Sequence, residues 1–135
     1  RLYREAPVNS IWEGSGNVMC LDLLRALQRE PGAAQALLAE LRATAAGEPL
    51  LAAALRDLLA LLALPPEALE PLGRVLAQRL VLLAQACLLR LHAPAAMADA
   101  FIATRLGAGG AGGVVGAIDL RGLDVDAILA RAFPG

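Results

Sequence analysis

Leucine and alanine return every three or four residues from Val18 to Leu106, and prolines punctuate the runs. That spacing sets apolar side chains along one face of an α-helix, and proline marks where one helix must stop and the next can start. Apolar residues make up 58% of the chain and aromatics only 3%. The core must therefore be built from leucine and alanine, the strongest helix formers, with few of the aromatic residues that favour strands. A chain of 135 residues is long enough to bury such a core in one domain.

The pattern divides as follows. A helix begins after Gly16, with Asn17 as its expected N-cap, carries Val18, Leu21, Leu24, Ala26 and Leu27 on its apolar face, and ends at Pro31-Gly32. A second spans about Ala33 to Ala46 with Leu37, Leu38 and Leu41 inward and Gly47 as its stop. A third opens at Glu48-Pro49 and closes near Ala63, before Pro65-Pro66. The longest is expected from about Glu67 to His92, tolerating Pro71 in its first turn and burying Leu72, Val75, Leu76, Leu80, Leu83, Ala84, Cys87 and Leu91. A fifth, opened by Pro94, reaches Leu106, and a short last one covers about Asp124 to Ala132. Short links between successive helices make them fold back on one another, so the expected fold is all-α, an antiparallel bundle of about five to six helices.

The mean hydropathy of +0.59 is high for so small a domain. A membrane span is nonetheless not expected. Leu50–Leu64 carries Arg56 and Asp57 at its centre, and Leu80–Leu91 contains Gln85 and Arg90. Neither reaches the roughly 18 consecutive uncharged apolar residues that crossing requires. The excess apolar surface points instead to contacts with another domain or subunit. All twelve basic residues are arginine and the net charge is −1, so no overall basic footprint marks a nucleic-acid binder. Arg25, Arg29, Arg74, Arg79 and Arg90 sit among acids and are expected to form solvated ion pairs. Cys20 and Cys87 fall within apolar helical pattern, as buried free thiols of a cytoplasmic protein. The first residue is arginine, and the chain reads as a piece of a longer one.

Three features invite a functional reading. Gly107-Ala108-Gly109-Gly110-Ala111-Gly112 matches G-x-G-x-x-G, but a helix precedes it where a dinucleotide site needs a strand, and it is expected to be a loop. His92 is the sole histidine, with no Cys, Asp or Glu spaced to complete a metal site; no metal is expected. The third is Ile11-Trp12-Glu13-Gly14-Ser15-Gly16-Asn17. Ser10-Ile11-Trp12-Glu13 fits a helix capping box, S-x-x-E, yet Gly-Ser-Gly follows it, and each glycine costs about 1 kcal/mol relative to alanine in a helix interior. The same residues also suit a ligand site. Glycines admit a planar group close to the backbone, Ser15 and Asn17 offer short polar contacts, and Ile11 and Trp12 shield the Glu13 carboxylate from water. Desolvation strengthens a carboxylate as a base towards a weakly acidic C–H. Both readings stand on the residues alone.

The stretch Arg4-Glu5-Ala6 followed by Ile11-Trp12-Glu13-Gly14-Ser15 resembles the acyl-CoA dehydrogenase family, with tryptophan and serine at two positions where most members carry tyrosine and threonine. The wording from Arg1 to Leu27 is most similar to the AidB-type, DNA-alkylation-response branch, and residues 94–133 resemble that branch's C-terminus. The resemblance implies a flavoprotein in which Glu13 takes the α-proton of an acyl-CoA thioester while a hydride passes to FAD. It makes Trp12, Gly14, Ser15 and Asn17 the cofactor contacts. Residues 1–30 would end the dehydrogenase's C-terminal helical domain, and 31–135 would be an appended helical region containing a glycine-rich loop at 107–116. The partners implied are the remaining domains of the same protein, further copies of it, an acyl-CoA thioester and, through the appended region, double-stranded DNA. The family's N-terminal helical and central β domains, which form most of the flavin site, have no counterpart in these residues, so the chain alone is expected to be inactive. The alternative is a DNA-docking or oligomerisation module with little dehydrogenase activity.

Overall fold

A computed structural model of the chain describes residues 16–107 and 120–133. Within them all regular structure is helical: α1 (Gly16–Arg29), α2 (Pro31–Ala45), α3 (Pro49–Leu62), the single turn α4 (Pro66–Leu69), a 3-10 turn (Glu70–Leu72), α5 (Gly73–His92), α6 (Ala95–Leu106) and α7 (Val125–Ala132). The all-α bundle expected from the leucine spacing is the fold, with six helices of two turns or more among the described residues.

Prolines set most of the starts. Pro31, Pro49 and Pro66 each open a helix, where the absent N–H would have had no intrahelical partner and the fixed φ already suits the helix. Pro31-Gly32 therefore begins α2 instead of separating it from α1, two residues earlier than expected. Gly47 ends the second helix as anticipated, taking φ +83°, a left-handed conformation that glycine adopts without strain. Asp124 caps α7, its Oδ1 accepting from the backbone N–H of Ala127 at 3.0 Å. Asn17 does not cap α1, because Gly16 ahead of it is already helical.

The expected continuous helix from Glu67 to His92 is broken. Pro71 has no N–H to give and its ring crowds the carbonyl one turn earlier, and the chain tightens into the 3-10 turn before α5 resumes. Beyond the break, α5 runs through the middle of the bundle against α1, α2, α3 and α6. Leu76, Leu83 and Cys87 are buried as the pattern predicted, together with Leu41, Leu51, Leu55 and Leu58 from α2 and α3 and Ile102 from α6. Each buried leucine contributes about 2 kcal/mol of hydrophobic stabilisation. Leu72, Leu80 and Ala84 are half-buried, whereas Val75 and Leu91, also expected inside, are 37% and 58% exposed. Their places in the interior are taken by Gly73 and Ala86, whose small size lets neighbouring helices approach. Leu37 of α2 and Val18 and Leu21 of α1 lie likewise on the outside.

By length and composition Pro66–His92 could cross a membrane. Here that stretch is interrupted by the 3-10 turn, carries Arg74, Arg79 and Arg90, and forms the central helix of a bundle, the ordinary place for an apolar helix.

Ion pairs fix the direction of α5. Arg79 lies 3.5 Å from Asp57, and Arg90 reaches Glu48 at 3.0 Å and Asp99 at 2.8 Å. The pairing advances along α3 as it retreats along α5, so these two helices are antiparallel. Arg90 ties the start of α3, the end of α5 and the first turns of α6 with a guanidinium only 24% exposed. Its Nε is buried beside Glu48 without a hydrogen bond of its own, while Nη2 donates to Glu48 Oε2 at 3.5 Å. Arg90→Ala is expected to lower stability by about 1–2 kcal/mol, more than an isolated surface pair would cost, because two carboxylates lose one partner. Urea unfolding checks this, and the difference should shrink in 1 M salt.

Candidate functional site

Trp12, Glu13, Gly14 and Ser15 lie outside the described residues. Asn17, the remaining expected flavin contact, is exposed on the first turn of α1. It lines a half-open cleft of ≈ 450 Å³ where α1 meets the turn before α5. Its lining also comes from Cys20, Leu21 and Leu24 of α1, Glu67 of α4, Glu70 and Pro71 of the 3-10 turn, and Gly73 and Arg74 of α5. Gly73 favours this closeness: a Cβ placed there would stand a tight 3.3 Å from Leu24 Cδ1 and in ordinary contact, 3.7 Å, with Cys20 Cβ. The cleft thus joins the helix that follows the E-G-S motif to residues some fifty positions later. Glu67 and Glu70 went unnoticed as site residues, and Arg74 was expected only in a solvated ion pair, because their meeting with α1 depends on how distant helices dock.

The cleft's chemistry is mixed. Two carboxylates, one guanidinium and one amide line it alongside the apolar Leu21 and Leu24 and the thiol of Cys20. Flavin use is general to the acyl-CoA dehydrogenases, and the cleft does not supply a flavin site. A dinucleotide brings a diphosphate that Glu67 and Glu70 would repel, and its isoalloxazine needs a closed flat slot that this open cleft lacks. Asn17 contributes one exposed side-chain amide to this cleft.

The other expected features fall as follows. Arg25 pairs with Asp22 at 2.9 Å, and Arg79 and Arg90 pair as described, so these arginines serve ion pairing; Arg29 and Arg74 make no ion pair with a described residue. His92 is the last residue of α5 and is exposed. Helix α6 ends at Leu106 just before Gly107, so a helix does precede the glycine-rich stretch, whose residues 108–116 lie outside the described region. Gly107 itself ends the helix where a side chain would run into the carbonyl of Ala103.

The two cysteines are free but not equally buried. Cys87 is in the core, and desolvation by burial raises its thiol pKa above the usual value. Cys20 is half-buried in the cleft wall, which corrects the expectation of two buried thiols. A maleimide at neutral pH is therefore expected to label Cys20 well before Cys87, with Cys87 reacting only on unfolding. Mass mapping of the modified peptides over time checks the order.

No protein-family model and no solved structure matches the chain. Among curated proteins it is similar to AidB of Escherichia coli (strain K12), an acyl-CoA dehydrogenase by name, with 75% identity over 32 residues. That match covers 24% of this chain and 6% of the relative. The chain therefore corresponds to only a small part of that relative's length, and this short match is consistent with the family resemblance seen in the residues.

Proposed function

We propose that this chain is the C-terminal helical part of an FAD-dependent oxidoreductase of the acyl-CoA dehydrogenase type, in which Glu13 takes the α-proton of an acyl-CoA thioester. The 75% identity to AidB over 32 residues carries this reading, together with the Arg4-Glu5-Ala6…Ile11-Trp12-Glu13-Gly14-Ser15 pattern. On it, residues 1–30 finish the dehydrogenase's helical domain, and 31–135 form an appended bundle. Trp12, Gly14, Ser15 and Asn17 face a flavin held mainly by domains that precede them. The described residues alone form no such pocket, so catalysis belongs to the complete protein, which we place in the cytoplasm as a homo-oligomer.

The complete protein, purified without added cofactor, is expected to show flavin absorbance that bleaches when an acyl-CoA is added in the absence of oxygen. A colourless protein that takes up no added FAD would overturn the reading. A second reading, a module for assembly or DNA docking, is favoured by Val81, Leu88 and Leu91, which stand 52%, 57% and 58% exposed on α5. Apolar surface of that kind suits a helix or domain partner better than a phosphate backbone. The DNA version requires duplex retention that weakens with salt, and no retention at low salt would remove it.

A further inference from the structure

Two apolar surfaces of the chain stand uncovered and match one another. One is a half-open groove of ≈ 340 Å³ where the corner between α1 and α2 meets the end of α3 and α4. Leu27, Leu38, Leu62, Leu64 and Leu69 line it with the amides of Gln28 and Gln35, and no charged side chain does. Such a lining receives apolar side chains and offers nothing to a phosphate or a carboxylate. The other surface is the outer face of α7. Asp126, Leu129, Ala130 and Phe133 recur there at i, i+3, i+4 and i+7, and all four are exposed, Leu129 at 50% and Phe133 at 77%. By that spacing an amphipathic helix lays its anchors into an apolar groove. The helix is already formed: Asp124 caps its start, and the N–H of Phe133 donates to the carbonyl of Leu129 at 2.9 Å, which keeps Phe133 in step with the face. Val125 and Ile128, on the other side, are half-buried where α7 packs on α6, and α6 supplies none of the groove's lining. The α7 of the same copy is thus seated elsewhere. Charge agrees as well. Asp126 opens the α7 face, Arg29 lies at the α1–α2 corner between the lining residues Gln28 and Pro31, and neither forms an ion pair with a described residue.

We propose that the groove at the α1–α2 corner receives the outer face of α7 from a second copy of the chain, with Leu129 and Phe133 as anchors among the leucines and Asp126 towards Arg29. One short helix covers too little surface for a lasting contact. Made reciprocally about a two-fold axis, the same contact forms twice and closes at two copies. This names a surface for the homo-oligomer proposed above and rests on that reading; it is independent of Glu13 and of flavin.

Disulfide trapping between two differently tagged forms of the complete protein tests the contact. Both forms carry Cys20→Ser; one adds Gln28→Cys in the groove, the other Ala130→Cys on the α7 face, and the two are produced together. Because the new thiols are on different chains, a 28–130 disulfide mapped by mass spectrometry can arise only between copies, and it is expected under mild oxidation. Phe133→Glu in the Ala130→Cys form removes the larger anchor and is expected to lower the trapped fraction about tenfold or more. Phe133 is mostly exposed, so the helical circular dichroism and the Tm of that variant should match the parent. A protein that sediments as an oligomer yet gives no 28–130 disulfide overturns this inference and leaves the homo-oligomer standing. A protein that sediments as a monomer removes both. A 28–130 disulfide confined to single chains carrying both substitutions would assign the groove to the copy's own α7 and equally overturn the proposal.

Discussion

Glu13→Gln in the complete protein is expected to lower acyl-CoA dehydrogenation by about 10²–10⁴-fold while flavin stays bound. The substitution keeps the size and most of the hydrogen-bonding shape of the side chain but leaves an amide, which has no useful basicity towards an α-proton. The α C–H is made acidic by the thioester carbonyl, and its removal still requires a base positioned within contact distance. Loss of turnover with an unchanged flavin spectrum separates removal of the base from damage to the fold or the cofactor site. Steady-state rates with an artificial electron acceptor, alongside the visible spectrum, check both halves. Full activity in the variant would return Ser10-Ile11-Trp12-Glu13 to the bland role of a capping box.

The second large effect is on stability. Leu83→Ala removes a side chain that is 0% exposed at the centre of α5, among Leu41, Leu51, Leu58 and Leu76. The surrounding helices can close such a hole only in part, so the loss combines transfer and cavity terms and is expected to be about 2–5 kcal/mol. Against a total stability of about 5–15 kcal/mol for a domain, that is a large fraction. Val81, two residues away on the same helix, is 52% exposed, and Val81→Ala is expected to cost less than about 0.5 kcal/mol. Denaturant midpoints at unchanged slope test the contrast. Equal effects from the two substitutions would mean that the inward face of α5 has been wrongly placed.

Much of the helical layout is legible in the residues because each boundary has a local cause. Pro49, Pro66, Gly47 and Asp124 act within one turn of themselves, and leucine spacing marks Leu41, Leu76 and Leu83 as interior. What the sequence did not disclose depends on neighbours distant in the chain. Pro71 looks tolerable in a first turn, but it follows a turn already begun at Pro66, and so it splits the helix. Leu91 fits the stripe of α5 and yet is exposed, because no described helix covers that face at the far end. Gly73 and Ala86 are interior for their smallness, a property that hydrophobic periodicity does not register. The site divides in the same way. Glu13 was singled out by its immediate neighbours alone, whereas the cleft that Asn17 shares with Glu70 and Arg74 exists only once α5 has docked on α1.

The most direct test of the central claim is exchange of the substrate's α-proton. The complete flavoprotein, incubated anaerobically in D₂O with an acyl-CoA, is expected to place deuterium at the α-carbon, because a base that removes the proton can also return one from solvent. Glu13→Gln should place none on the same timescale. Deuterium incorporation at the same rate in both proteins, or none in a wild-type protein that holds its flavin, would contradict the assignment of Glu13 as the base.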